Sequence, residues 1–199
     1  MNYELRIIND VDRAIAVMRQ TAMWMQARGI PLTGSWELEK LNFERFARKL
    51  GTTDKNFFVF ESDGHDIGAC ILSMRDSGRI WHKYGYKDPH YYMNKFVVAD
   101  RFHGGEYSRK MLDIIKQKAK ADGVKSIRLD AEYAVSSFYI NNGFFPHWSF
   151  KGGKTGKTFV RLAWYRWTSD ELETIWRGAG RFNLRRFTYR MIKRILWFV

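Results

Sequence analysis

The sequence predicts an α/β fold. Short β-branched and aromatic runs, Asn56 to Glu61 and Val124 to Ala131 among them, alternate with amphipathic stretches whose apolar residues recur at helical spacing. Between Met93 and Leu112 one such run passes through a paired-glycine loop, Gly104-Gly105, into a helix bearing Met111, Leu112, Ile115 and Ala119 on one face. A hydrophobic share of 45% is enough for a folded core. No internal repeat or low-complexity linker divides the chain.

In order, Tyr3 to Ile8 alternates and reads as a first strand, with Asn9 or Asp10 available to cap the next helix. That helix carries Ile15, Met18, Ala22 and Met25 and stops near Gly29. A second helix is expected over Trp36–Leu50. Asn56 to Glu61 and Asp66 to Met74 form a hairpin about Asp63-Gly64. Residues 75–90 are polar, aromatic and irregular, and precede the strand that ends in Phe96-Val97-Val98. The following helix starts about Glu106 and stops at Gly123, a good left-handed cap. Val124 to Ala131 is a strand, Ala134 to Asn142 a short helix, and Phe145 to Phe150 and Lys157 to Trp167 two further strands.

Residues 168–199 form an extension. Thr168 and Glu171 make a capping box. From Arg181 to Val199 six cations (Arg181, Arg185, Arg186, Arg190, Lys193, Arg194) oppose an apolar stripe and no acid intervenes. This suits a helix docked on the domain, a homodimer arm, or contact with an anionic membrane surface; nucleic acid is not expected. These charges contribute much of the net +13, which therefore says little about an active site. The single cysteine, Cys70, excludes a disulfide framework within the chain, and its apolar run makes it a buried small hydrophobe. His82, His90 and His103 lack metal-ligand spacing, so no metal is expected. No signal peptide opens the sequence and no run reaches the length of a membrane span, so the expected location is cytoplasmic.

A strand, a glycine loop and a helix N-terminus together make an anion site, because unpaired N–H groups and the helix dipole point outward. With the later run Tyr139-Ile140-Asn141-Asn142-Gly143-Phe144, this stretch resembles the GNAT superfamily of N-acetyltransferases. The resemblance spans most of residues 3–165. It implies a mixed, mostly antiparallel sheet, splayed beside Phe96 to Val98, with helices on both faces, in a domain of residues 1–167. It implies acetyl-CoA (coenzyme A) as the acyl source and an amine as acceptor, joined by direct attack in a ternary complex. Phe96, Val97 and Val98 would hold the pantetheine arm and thioester. His103, Gly104, Gly105, Glu106, Tyr107 and Ser108 would form the pyrophosphate loop. Tyr139 would protonate the departing thiolate. Trp24 and Trp36 would either line the acceptor pocket or pack as core, and Glu61, His82 and Glu132 are the candidates for general base. The sequence departs from the family pattern at His103 (usually Arg or Gln), Glu106 (usually Gly), Ser108, Glu132 and Val135. A carboxylate at Glu106 repels pyrophosphate unless its side chain turns away. The alternative expectation is a catalytically inactive domain of this fold serving as a binding or membrane-surface module.

Overall fold

The structure, a computed structural model, describes residues 4–30, 32, 36–74, 89–103, 106–152 and 156–166. The expectations for Gly104, Gly105, His82 and the extension from Thr168 lie outside these residues.

Among the described residues, seven strands form one sheet in the order β1-β2-β3-β4-β5-β7-β6. They are β1 Arg6–Asn9, β2 Phe57–Ser62, β3 His65–Ser73, β4 His90–Val98, β5 Ser126–Glu132, β6 Phe145–Lys151 and β7 Thr158–Tyr165. All neighbours pair antiparallel except β4 and β5. The helices are α1 Val11–Ala27, α2 Phe43–Leu50, α3 Tyr107–Ala121 and α4 Tyr133–Asn141.

The core has two layers. On one face Met111, Leu112, Ile115 and Ala119 of α3 and Tyr139 of α4 pack on Phe58, Phe60, Met93, Ile127, Leu129 and Leu162. On the other, Ala14, Val17, Met18 and Ala22 of α1 and Phe46 and Leu50 of α2 pack on Phe57, Val59, Ala69, Ile71 and Val97. Along β5, Ile127, Leu129 and Ala131 share one face, as strand alternation requires. Asp63 and Gly64 take φ of 51° and 73°, as a two-residue hairpin turn requires.

The continuous helix expected over Trp36–Leu50 does not form. A 3-10 turn at Leu38–Lys40 is followed by a break, and α2 begins only at Phe43. Asn42 causes the break. Its side chain accepts from Arg45 N–H at 2.9 Å, an N-cap, and donates to the Glu39 carbonyl at 2.8 Å. The Leu41 carbonyl takes the Arg19 guanidinium at 2.9 Å, while the Leu41 side chain is wholly buried.

Gly68 of β3 permits a close approach. A Cβ there would lie 2.3 Å from the Val97 carbonyl oxygen and 2.6 Å from the Met111 methyl. Gly68→Ala is therefore expected to destabilise the fold by about 1–3 kcal/mol through overpacking. Urea unfolding measures this, and an unchanged midpoint would contradict the packing described.

Candidate active site

The site is built on a sheet that comes apart. β4 and β5 pair in parallel only at His90–Ser126, Tyr91–Ile127 and Tyr92–Arg128. β5 then stays on β7 through Glu132, while β4 continues along β3 to Val98. From Met93 onward the β5 side of β4 is an open edge among the described residues.

A β-bulge accompanies the opening. Ile71 of β3 pairs with Asn94 and Ala69 with Val97, so Lys95 and Phe96 together oppose Cys70. Lys95 takes φ of 52°, a left-handed conformation uncommon outside glycine. The extra residue reverses the alternation. Met93 lies on the α3 face, and so do Phe96 and Val98, whereas Val97 faces α1. Asn94 and Lys95, a polar pair inside an apolar run, are the one trace of this bulge in the sequence, and sequence reasoning passed over them. The Nδ2 of Asn94 is buried without a hydrogen-bond partner.

Ala99 N–H donates to the Ile67 carbonyl at 2.8 Å, toward β3. Alternation along the strand then aims the amides of Val98 and Phe96 at the open edge. Beyond it, α3 begins. Its first i→i−4 bond runs from Lys110 N–H to the Glu106 carbonyl at 3.0 Å. The amides of Tyr107, Ser108 and Arg109 precede that ladder, so strand edge and helix terminus present backbone donors together.

The loop between them is braced from α1. His103 Nε2 donates to the Val98 carbonyl at 2.8 Å, and its ring stacks on Trp24 with centroids 4.5 Å apart. Arg28 covers Trp24 at 4.3 Å. His103 thus holds the turn through its Nε2–H. Glu106 turns outward: its carboxylate is 76% exposed and pairs with Lys110 at 3.1 Å. Phe102 and Tyr107 meet edge to face at 5.3 Å.

On the α3 face, Phe96 contacts Tyr139 and Phe138 at ring distances of 6.3 and 6.4 Å. Burial pushes the Tyr139 phenol well above its ordinary range, with the Cys70 sulfur adding to the effect, so the hydroxyl keeps its proton at neutral pH. Cys70 is itself fully buried, and its thiol is pushed up the same way. On the α1 and α2 face, the Lys95 ammonium position lies 3.6 Å from the Trp36 ring centroid.

Of the residues expected at the site, Phe96, Val97 and Val98 lie on the stretch of β4 not paired with β5, Phe96 meets Tyr139, Trp24 meets His103, Trp36 meets Lys95, and Glu106, Tyr107 and Ser108 open α3. Glu61 is not among them. Glu61 lies on β2, two strands from β4, between Arg6 at 3.0 Å and Arg13 at 2.6 Å. Its hydrogen bond from Arg13 holds the carboxyl below the usual range, which makes it a poor base. Glu132, at the end of β5, pairs with Lys157 at 2.9 Å. Among the described residues no group of three His, Cys, Asp or Glu side chains is placed to hold a metal, and no helix is long and apolar enough to cross a membrane.

Residues 53–146, from the turn before β2 to the start of β6, match the profile of the acetyltransferase (GNAT) domain. Over these residues the chain is similar to a GNAT acetyltransferase domain, and its sheet has the GNAT-like fold. Solved GNAT-fold structures superpose on it. A GNAT-family acetyltransferase from Listeria monocytogenes aligns over 82% of this chain and 95% of its own, at 22% identity and a TM-score of 0.59. The PaiA N-acetyltransferase from Thermoplasma acidophilum, in complex with coenzyme A, aligns over 82% and 99%, at 17% identity and a TM-score of 0.56. FeeM, an N-acyl amino acid synthase from uncultured soil microbes, aligns over 82% and 91%, at 15% identity and a TM-score of 0.58. At these identities the likeness establishes the fold. No curated protein matches the sequence.

Because the Glu106–Lys110 pair is solvent-exposed, Glu106→Gln is expected to change the unfolding free energy by less than about 0.5 kcal/mol. Chemical denaturation tests this; a larger loss would mean that the carboxylate holds the helix start in place.

Proposed function

We propose that the protein is an N-acetyltransferase that moves an acetyl group from acetyl-CoA to an amine by direct attack in a ternary complex. One observation carries the reading: β4 loses its pairing with β5 after Tyr92, and the chain then enters α3, whose cap residue Glu106 makes no side-chain capping bond. Backbone amides buried without partners are costly, so such an edge fits a ligand that supplies acceptors along its length. The outward turn of Glu106 supports the fit, since it takes the carboxylate away from the helix amides.

Coenzyme A supplies a thioester whose carbonyl carbon is open to an amine and whose sulfur can leave as a thiolate. The chain's own groups do the rest. Val98 and Phe96 amides would hold the carrier arm and donate to the oxygen on which charge develops, at no cost in reorganisation. Tyr107, Ser108 and Arg109 amides would hold the phosphates. The apolar surround of Phe96, Phe138 and Phe144 would exclude water from the reacting carbon. Tyr139, protonated through neutral pH, would give its proton to the departing sulfur.

Two assays test this. Calorimetry with acetyl-CoA should show binding at sub-millimolar cofactor, and its absence would favour the inactive binding module. Tyr139→Phe should bind CoA as the parent does and lose about 10²–10⁴-fold in turnover; undiminished turnover would remove Tyr139 from the mechanism. The protein is further proposed to be cytoplasmic, touching anionic membrane through residues 181–199, with homodimerisation as the competing use of that segment. Liposomes containing phosphatidylserine should sediment the full chain and not a chain ending at residue 180; equal sedimentation rejects lipid contact.

A further inference from the structure

Among the described residues, both carboxylates the sequence offers as base are engaged elsewhere: Glu61 is two strands away in an ion-pair cluster and Glu132 is paired with Lys157. The bulge offers another group. Lys95 is its extra residue, held at φ 52° by a register in which one β3 residue faces two of β4. A non-glycine residue kept in that region costs stability, and such strain gathers at functional positions. The conformation turns Lys95 onto the α1 and α2 face, 3.6 Å from the centre of the Trp36 ring. Its neighbour Phe96 faces the opposite way, toward Tyr139. The thioester-binding amides of Phe96 and Val98 therefore lie between a phenol on one side of the sheet and an amine on the other.

Resting on the acyl-transfer reading above, we propose that Lys95 is a catalytic residue, the base that accepts the proton of the acceptor amine. As the nitrogen lone pair forms the C–N bond and the C–S bond breaks, the amine's proton passes to Lys95 Nζ and Tyr139 gives its proton to the sulfur. Lys95 then returns a proton to solvent and the Tyr139 phenolate regains one, so charge and protons balance. The environment suits the role. Burial, with Lys49 of α2 adding repulsion, lowers the Lys95 amine from its ordinary range to about 6, so it is largely neutral at pH 7. The face of Trp36 attracts the protonated form, which makes that form tolerable once it has taken the proton. Since the base acts neutral, its protonation adds an acid limb to the profile as the pH drops through about 6.

Two measurements on the full chain test this. The first is reductive methylation by formaldehyde and borane across pH, read at each lysine by peptide mass spectrometry. Lys95 should react with a midpoint near 6; a midpoint near the ordinary lysine value of about 10.4 would overturn the proposal. The second is the pH profile of kcat/KM for tyramine, spermidine or an alanyl peptide, whichever turns over fastest, in the parent and Lys95→Arg. Arginine can reach the same ring but cannot act as a base. It should lose about 100-fold or more in turnover and the acid limb of the profile, with acetyl-CoA affinity unchanged. An Arg variant with parental turnover and the same limb would remove Lys95 while leaving acyl transfer standing. A parent chain that fails to bind acetyl-CoA would overturn both.

Discussion

Everything in this molecule that bears on chemistry depends on the failure of two strands to stay paired. β4 and β5 share three rungs and then part, because each has a stronger claim elsewhere. β5 keeps a seven-residue register with β7, from Ser126–Tyr165 to Glu132–Phe159. β4 is held to β3 and bent by the Lys95 bulge, and bulges sharpen local twist. The aromatic group of Phe96, Phe138, Tyr139 and Phe144 packs behind the opening on the α3 face. Unpaired N–H groups at such an edge need acceptors, and the helix terminus of α3 asks for the same thing nearby.

The two faces of the sheet divide the work at that edge. The α3 face is apolar and aromatic, and it raises the proton affinity of Tyr139. The α1 and α2 face brings Trp36 onto Lys95 and, at the far end of the loop, Trp24 onto His103. The loop's charge is arranged by direction rather than by composition. Glu106 occupies a place in the motif where a carboxylate would be harmful, and its side chain runs along the helix to Lys110 instead. His103 spends one nitrogen on the Val98 carbonyl, which ties the loop to the strand whose amides it borders.

Most of the architecture was legible in the residues. Strand alternation, the Asp63-Gly64 turn and the apolar face of α3 each carry a local physical signal, and each forms where the sequence indicates. The first strand shifts to Arg6–Asn9, where it pairs with Phe58–Glu61 of β2, a register that strand alternation alone does not specify. The second helix breaks because Asn42 caps better than it continues, a competition that apolar periodicity cannot reveal. The site was legible in part. The resemblance singles out both Phe96 and Tyr139, far apart in the chain, and the fold puts their rings 6.3 Å apart. The Lys95 bulge does not follow from motif or spacing, because its register belongs to β3 as much as to β4. Glu61 looked available as a base in the sequence; Arg6 and Arg13, distant along the chain, neutralise it in the fold.

The central claim is that the open edge of β4 and the first amides of α3 form one binding surface. Amide NMR shifts recorded while coenzyme A is titrated into the protein test it most directly. The account predicts the largest changes at Phe96, Val98, Tyr107, Ser108 and Arg109, saturating together with a single affinity. Saturable binding that leaves these five amides unmoved, or no binding at all, would contradict it.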